Sequence, residues 1–353
     1  MKKIKWIVAF LSLFLLVELG IVNQAQADAG NFGLKANYND HQVEKNEIID
    51  VFGEPGSKQT ISIGLYNKDD KPHSYIVDIY TAYTNNSGGF AFNNNSAKDP
   101  SLKIKLRDYI APKKQTIRVN PGEMKNVSVG LTIPTKQFQG FLMGGFSVRP
   151  AGNEKLRKQL TSNGTILKSK FVEGIPIRVS QSRNMTMAPQ FRVRYVTPYG
   201  NQTMKARGVN ANLQNYVKGY NASIDVKATV TRRPDDHKFK KVAKQTRISP
   251  APNSNYDYQI SWGKTPLQAG DYHLHMKLTT SDKTKSWIVD KNFSISNEDA
   301  AKYNKLSGIK PNYMWLWILI AILVLLLVLG LGVYFGRRNQ QKNQPPMNNY
   351  NQR

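Results

Sequence analysis

Hydrophobic and polar residues alternate with a period of two through much of the chain. In the first half, every second residue is aliphatic through Ile61–Leu65 and again through Val127–Ile133. This pattern is typical of an antiparallel strand that buries one face and exposes the other. A further strand is predicted over Ile76–Thr84. The first half is therefore predicted to consist of β-strands.

A short internal repeat predicts how two of these strands pair. Pro55–Leu65 and Pro121–Leu131 share a Pro-Gly start followed by an identically phased run of alternating residues. Pro-Gly favours a type II turn, because proline fixes φ at the second position and glycine supplies the positive φ at the third. We expect Ile61–Leu65 to pair antiparallel with Val127–Leu131, as such strands do in an immunoglobulin-like sandwich.

Two adjacent glycines interrupt a further run of the first half. Gly144 and Gly145 lie inside the largely apolar segment Phe141–Val148. A glycine inside a strand marks a bulge or a close approach of another backbone. We expect one of these two features here.

The second half repeats the alternation. Its predicted strands are Ala222–Val230, Tyr256–Trp262, Tyr272–Leu278 and Trp287–Ile295. The segment Ala269–Tyr272 has the form of a tyrosine corner, which fixes a late hairpin of a sandwich. The longest helix expected outside the ends is a connector over Glu298–Lys305. The predicted fold class is all-β, with two immunoglobulin-like β-sandwich domains in tandem.

The amino terminus has the features of a signal peptide. Lys2, Lys3 and Lys5 precede an apolar run that is too short to span a bilayer, and Ala25-Gln26-Ala27 supplies a small-x-small cleavage site. We expect cleavage after Ala27, so that the chain is exported from Asp28 onward. An uncleaved anchor is the alternative.

The carboxyl-terminal region contains a predicted transmembrane helix. Met314–Phe335 holds 22 residues without a charge, and at about 1.5 Å per residue such a helix crosses a bilayer core. Arg337 and Arg338 follow at once, and positive charge beside a span favours the cytoplasmic side. The expected topology is single-pass type I in the cell membrane, with the amino-terminal part extracellular and a cytoplasmic tail.

These patterns divide the chain into seven predicted segments. They are a signal peptide (1–27), a first sandwich (28–150), a linker (151–164), a second sandwich (165–297), a juxtamembrane connector (298–313), the membrane helix (314–335) and a disordered, Asn/Gln/Pro-rich tail (336–353).

Composition excludes several kinds of site and indicates the charge of possible partners. The 353 residues include no cysteine, which excludes disulfides, thiolate-bound metals and a cysteine nucleophile. An exported chain without cysteine suggests a Gram-positive surface.

The formal net charge is +26, and residues 151–300 carry net +14 against +3 for residues 28–150. A basic second domain predicts attraction to anionic polymers, lipid headgroups or acidic proteins, although a merely solvated surface is the simpler interpretation. Export argues against nucleic acid as a partner.

The sequence offers little catalytic chemistry. His273-x-His275 places two imidazoles on one face of a strand, but no third metal ligand is apparent nearby, and a solvent-exposed strand face is the favoured interpretation. The acid pairs Asp69-Asp70 and Asp235-Asp236 are flanked by Lys, Arg and Pro, as in ordinary hairpin turns. We expect no enzymatic activity, no cofactor, no metal site and no catalytic residue.

One loop combines amides with aromatic rings. Tyr83, Asn85, Asn86 and Phe90 lie in or beside the segment Thr84–Phe90. Sugars are bound by such sets, because their ring faces stack on aromatic rings while amides bond the hydroxyl groups. These four residues are the predicted ligand-binding residues. The alternative is that Asn-Asn-Ser-Gly-Gly is only a turn sequence.

The order of these motifs resembles the WxL-interacting proteins of Gram-positive bacteria. The first domain is similar to their peptidoglycan-binding domain, and the second to their host-binding domain. The matching first-domain motifs are Phe32-x-Leu34, Pro55-Gly56, Ala82–Gly89, Pro121-Gly122 and Ile133–Gly145; those of the second are Ile175–Val179 and Val209–Asn215.

The resemblance implies a non-enzymatic, membrane-anchored surface adaptor with a role in adhesion. Its first domain would bind peptidoglycan or WxL-domain surface proteins, and its second would bind host extracellular proteins or anionic surface polymers. Two alternatives from other classes stay open. One is an extracytoplasmic assembly chaperone that acts by strand addition, which would need a long uncharged edge strand. The other is a wall hydrolase.

Overall fold

The computed structural model describes residues 31–151, 173–234, 236–308 and 314–342. The predicted signal peptide and most of the predicted linker lie outside these residues. Backbone contacts divide the chain into two compact units, residues 1–197, 210–260 and 271–293 in the first, and residues 198–209, 261–270 and 294–353 in the second. Within the described residues, the first unit contains the whole first sandwich and most strands of the second domain.

Two sheets form the first sandwich. One has the strand order β1-β3-β9-β7 and the other the order β2-β11-β10-β4-β8. Aliphatic and aromatic residues from both sheets form one buried core, which includes Ile63, Val127, Tyr75, Phe146 and Val179. The strands are β1 (Phe32–Asn37), β2 (Ile49–Phe52), β3 (Lys58–Asn67), β4 (His73–Thr81), β7 (Ile110–Ala111), β8 (Lys114–Val119), β9 (Met124–Thr132), β10 (Leu142–Pro150) and β11 (Glu173–Ser180).

The predicted pairing of the repeated strands is confirmed. In the antiparallel register of β3 with β9, Ile61 lies opposite Val129 and Ile63 opposite Val127. Gly56 and Gly122 have φ of 83° and 66°, the left-handed values that the third position of a type II turn requires. Each turn is closed by a backbone hydrogen bond, from Ser57 to Glu54 and from Glu123 to Asn120.

Gly144 marks a close backbone approach and not a bulge. Its register with β4 is continuous, with Gly144 opposite Thr81 and Gly145 opposite Tyr80. A Cβ atom at position 144 would lie 2.2 Å from the carbonyl oxygen of Tyr80. Any larger residue would have to displace that backbone, so the second of the two expected features is the one present.

One strand assigned to the second sandwich belongs to the first. β11 pairs antiparallel with β10 and parallel with β2. Arg178 on β11 lies opposite Asp50 on β2, and its Nε donates to Asp50 Oδ1 at 2.8 Å. The prediction that residues from 165 onward belong to the second sandwich is therefore wrong for this strand. The alternation fixed which face of β11 is buried, but it carried no information on which sheet completes its hydrogen bonds.

The second domain also has two sheets. They have the orders β12-β13-β16 and β15-β14-β17-β18. Phe191 of β12 and Trp287 of β18 meet at 5.2 Å between ring centroids. The strands are β12 (Phe191–Asn201), β13 (Ala206–Asn215), β14 (Ile224–Arg233), β15 (Asp236–Ile248), β16 (Ser254–Ser261), β17 (Gly270–Thr280) and β18 (Ser286–Ile295). The all-β, two-domain prediction is thereby confirmed at the level of sheets.

The second unit contains a short helix that is fastened to the strand ends. Helix α1 spans Asn297–Leu306, and the side chain of Ser296 caps its amino end by accepting from the N–H of Asp299. The Asn304 side chain bonds both the N–H and the carbonyl of Leu267, at 2.8 and 2.9 Å. The buried guanidinium of Arg207 donates to the Ser307 hydroxyl at the carboxyl end of α1. Cations are favourable at this end of a helix.

Helix α2 spans Met314–Lys342, and its segment Leu316–Tyr334 is long and apolar enough to cross a membrane. The helix continues seven residues beyond the predicted span, so the prediction of a disordered tail from residue 336 is wrong for residues 336–342. Those residues include no proline, which would interrupt a helix, and the first proline after them is Pro345. Residues 343–353 lie outside the described part.

Candidate ligand-binding surfaces

The predicted ligand loop is a tight hairpin. Strands β5 (Tyr83–Thr84) and β6 (Phe90–Ala91) pair, and residues 85–89 join them. The Asn85 side-chain oxygen accepts from the N–H groups of Ser87 and Gly89, at 2.9 and 3.0 Å. The side chain of Asn85 is thus used to close the turn, whereas Asn86 at the tip is exposed. A ligand role for either residue stays a prediction.

Tyr83 lies in an amide-rich cluster. Its hydroxyl donates to Asn93 Oδ1 at 2.7 Å and accepts from Asn94 Nδ2 at 2.9 Å. Asn93 and Asn94 are exposed, and Tyr83 is half-buried. The hydrogen bonds orient the phenol ring and the two amides together. This tyrosine–asparagine cluster has the chemistry of a sugar-binding surface, although the sequence had not singled out Asn93 or Asn94.

Phe90 faces a different neighbour. Its ring packs against Phe92 and Tyr220, at centroid distances of 5.5 and 5.6 Å, and its N–H donates to the Ser249 hydroxyl. The ring is only partly exposed. Phe90 therefore contacts residues of the second domain that lie within the same compact unit. Phe90 thus packs against other aromatic rings, whereas Tyr83 bonds two asparagines. A ligand contact of Phe90 stays a prediction.

The hairpin takes part in a larger contact, called here the domain joint. Its apolar part consists of Ala82, Phe141, Met143 and Ala251, with Phe90, Met185 and Tyr220 packed around them. Its polar part joins Thr84 to Ser254 and Ala251, and Ser249 to Gly88 and Phe90. All of these residues lie in the first unit. Phe90, one of the four predicted ligand-binding residues, is therefore packed in the domain joint.

Asp99 is the charged centre of the same contact. Its carboxylate accepts from Ser101, from Gln214 Nε2 at 2.6 Å and from Asn255 Nδ2. Gln214 in turn accepts from Arg192. Burial raises the pKa of Asp99, but the hydrogen bonds from Ser101, Asn255 and Gln214 outweigh burial and hold the pKa below its ordinary value. The only local signal for this residue in the sequence is the turn segment Asp99-Pro100-Ser101.

His273 and His275 share one carboxylate. His273 Nε2 and His275 Nδ1 lie 3.1 and 2.8 Å from Asp290 Oδ1, and His273 Nδ1 lies 2.7 Å from Asn292 Oδ1. Hydrogen bonds from His275 first, and then from His273, lower the pKa of Asp290. The neighbouring residues Leu274 and Met276 are buried. The predicted exposed face of this strand is confirmed, and no group of three acidic, His or Cys residues in the described part has the geometry of a metal site.

The acid pair Asp69-Asp70 lies in the turn that connects β3 to β4, and these strands belong to different sheets, so the prediction of a hairpin at this pair is wrong. The Asp69 carboxylate accepts from the N–H of Asp70 and contacts His73 Nε2 at 2.9 Å. The Asp70 N–H and then His73 keep the pKa of Asp69 low. Asp235 lies outside the described residues. Asp69 therefore has the contacts of a turn residue, as the sequence favoured.

The charge on the sheet edges bears on the chaperone alternative. Among the described strands, the edge strands β1, β2, β8, β12, β15, β16 and β18 each carry at least one charged residue, and β7 is only two residues long. Charge at an edge discourages the addition of a further strand. The long uncharged edge that strand addition needs is not found in the part of the chain that the structure describes.

The described residues define a class: a protein of two tandem β-domains followed by an apolar helix of membrane length. Family models agree with this class. The model "WxL Interacting Protein, peptidoglycan binding domain" matches residues 32–150, and "WxL Interacting Protein, host binding domain" matches residues 162–305. The chain belongs to the WxL-interacting protein family.

Solved structures give a weaker likeness. The class 5 fimbriae chaperone CfaA is 13% identical, with 74% of this chain and 99% of that chain covered at a TM-score of 0.29. The Pseudomonas aeruginosa CupB2 chaperone is 9% identical, covering 70% and 98% at 0.29. The E. coli chaperone DraB is 13% identical, covering 76% and 98% at 0.27. A search of curated proteins found no match to this chain.

Proposed function

We propose that this protein is a membrane-anchored surface adaptor that binds and does not catalyse. The observation that carries the proposal is the order of the matched parts, which is a peptidoglycan-binding domain, a host-binding domain and then a membrane-length helix. The first domain holds peptidoglycan or a WxL-domain protein. The second holds host proteins or anionic surface polymers. Arg337 and Arg338 lie just past the apolar segment of α2 and favour a cytoplasmic carboxyl terminus and extracellular domains.

The mechanism is tethering. A helix fixed in the membrane confines both domains to a thin layer near the cell surface, which raises their effective concentration toward the wall. Individually weak sites then give durable attachment without a covalent step. Asn304 and Arg207 hold α1 against the strands. These contacts support the idea that mechanical force on the domains is transmitted through α1 to the chain that leads into the membrane.

Within the first domain, we place the wall-binding contact at the tyrosine–asparagine cluster. Tyr83 presents a ring whose hydroxyl is already oriented, and Asn93 and Asn94 are exposed amides beside it. A glycan ring that stacks on Tyr83 brings its hydroxyls within reach of these amides. Asn86 lies at the tip of the same hairpin and extends the surface.

The test is retention on purified peptidoglycan. The full chain in uncharged detergent micelles is incubated with sacculi from which all attached anionic polymers have been removed. Wild type is retained, and Tyr83→Ala weakens retention about 10-fold, since losing a stacked ring costs about 1.4 kcal/mol. Tyr83→Phe keeps most of the binding because the ring remains.

The matched control is Tyr195→Ala, which removes an exposed aromatic ring of the second domain. It should leave retention unchanged. Absence of wild-type retention would remove the wall-binding half of the proposal, whereas equal loss in both variants would remove only the site at Tyr83. Release of soluble wall fragments during the incubation would contradict the non-enzymatic part.

A further inference from the structure

A row of three lysines crosses the second domain. Lys227 on β14 lies directly opposite Lys244 on β15 and directly opposite Lys277 on β17. All three are exposed and point away from the buried face of the sheet. Because neighbouring strands are about 4.8 Å apart, the row places three positive charges in line over about 10 Å of sheet.

This arrangement opposes folding. Like charges directly opposite one another on adjacent strands destabilise a sheet. Among the described residues, no carboxylate forms an ion pair with any of the three lysines. Asp290, on the same sheet, contacts His273 and His275. Asp225 accepts from the backbone of Arg247.

Protection of a sheet edge does not account for the row. Lysines on an edge strand discourage unwanted pairing, and this explains Lys244 and Lys240 on the edge strand β15. Lys227 and Lys277, however, lie on the interior strands β14 and β17, which have hydrogen-bonded neighbours on both sides. Their position is costly for stability and has no role in edge protection.

The residues beside the row indicate the kind of ligand. On one side, the next two rows across the same three strands are Val242–Thr229–His275 and Lys240–Thr231–His273. These two rows contain no arginine, tryptophan or tyrosine, the residues that dominate protein interfaces and that stack nucleic-acid bases. On the other side, Asp225 of β14 lies opposite Thr279 of β17. A lysine ammonium is a point charge without a preferred planar partner. Such a row suits a flexible chain of evenly repeated single negative charges.

We propose that the lysine row Lys227, Lys244 and Lys277 binds a linear phosphodiester polymer of the cell exterior. The inference rests on the proposed function in assigning an anionic ligand to the second domain, and it adds the site and the chemical class. Successive phosphates of the polymer lie across the strands, one near each ammonium group.

The test measures binding of the full chain, in uncharged detergent micelles, to purified poly(glycerol phosphate) over a range of salt concentrations. The triple variant Lys227→Gln, Lys244→Gln and Lys277→Gln is compared with a control of equal net charge. That control carries Lys264→Gln, Lys285→Gln and Lys305→Gln, three exposed lysines outside the row. Circular dichroism and thermal melts verify that both variants fold, and loss of the row's self-repulsion should not lower the melting temperature.

The row variant is expected to bind about 100-fold more weakly at 0.1 M salt, and its slope of log K against log salt should shrink by about 2. Both figures correspond to three phosphate contacts at the counterion release of a single-stranded phosphodiester. The control should lose less than about 5-fold. Equal losses in the two variants would mean that only net charge matters and would overturn the proposal, as would no loss in either.

A second arm separates a polymer from a membrane surface. Vesicles with 30% phosphatidylglycerol replace the polymer, and row-dependent binding to these vesicles without binding to the polymer would also overturn the proposal. Retention on polymer-free peptidoglycan is measured in parallel. The row variant should keep that retention, so a failure of the wall-binding proposal and a failure of the lysine row give different results.

Discussion

At the scale of single residues, the acidic side chains of this basic protein have specific positions and roles. Asp99, Asp50 and Asp69 each accept hydrogen bonds from groups distant or near in sequence, and Asp99 and Asp50 are buried. A buried carboxylate is stable only when its oxygens are bonded. Asp99 and Asp50 are therefore used to fix contacts inside the protein.

Asp99→Ala is expected to lower the free energy of unfolding by about 2–4 kcal/mol, since it leaves the buried donors of Gln214 and Asn255 without their acceptor. Chemical denaturation of the full chain in micelles measures the change. Asp108→Ala, which removes an exposed carboxylate 3.7 Å from Lys113, should cost less than about 0.5 kcal/mol. Equal effects of the two substitutions would contradict the assigned role.

Asp99 is also expected to make the free energy of unfolding depend on pH. The folded-state pKa of Asp99 lies below its ordinary value, so its contribution to stability is complete above the unfolded-state pKa and is lost as pH falls through the folded-state pKa. The stability difference between wild type and Asp99→Ala should therefore shrink in acid. A difference that stays constant from neutral pH to below pH 3 would argue against an ionised Asp99 in the folded protein.

At the scale of elements, the fastening of α1 is set by a few polar contacts. Asn304 supplies both an acceptor and a donor to the backbone of Leu267, in the manner of a strand partner. Gly200 permits the approach, because a Cβ atom there would lie 2.3 Å from the carbonyl oxygen of Tyr303. These contacts hold the helix that precedes the membrane segment.

Asn304→Ala removes both hydrogen bonds and is expected to loosen α1 by about 1–3 kcal/mol. Hydrogen exchange of residues 296–308 should become faster, while exchange in β3 and β9 should not change. Asn297→Ala, at the exposed first position of the helix, serves as the control. Unchanged exchange in Asn304→Ala would show that the apolar packing of α1 alone holds it.

At the scale of the whole molecule, the domain joint links the first sandwich to much of the second domain within one compact unit. Apolar burial and buried hydrogen bonds act together there, and both would be lost on separation. Stability shared in this way makes unfolding cooperative. We therefore expect the two family domains to unfold in one main transition.

Ala251→Asp places a charge in the apolar part of the joint, where Ala251 is fully buried. It is expected to divide the calorimetric transition in two, because an unpaired buried charge opens the contact before either domain core unfolds. Ala222→Asp, at an exposed position, should keep one transition. A single transition in Ala251→Asp at the wild-type temperature would mean that the joint adds little to stability.

The sequence by itself determined the class of fold, the paired Pro-Gly strands and the membrane-length helix. Each of these follows from a local pattern, namely alternation with a period of two, a turn dipeptide or an uninterrupted apolar run. Only the tertiary structure decided that β11 completes the first sandwich, that Phe90 and Asp99 serve the domain joint, and that three lysines far apart in sequence form one row. Alternation with a period of two indicates which face of a strand is buried. Which strand lies next to it depends on hydrogen bonds between segments that share no local signal.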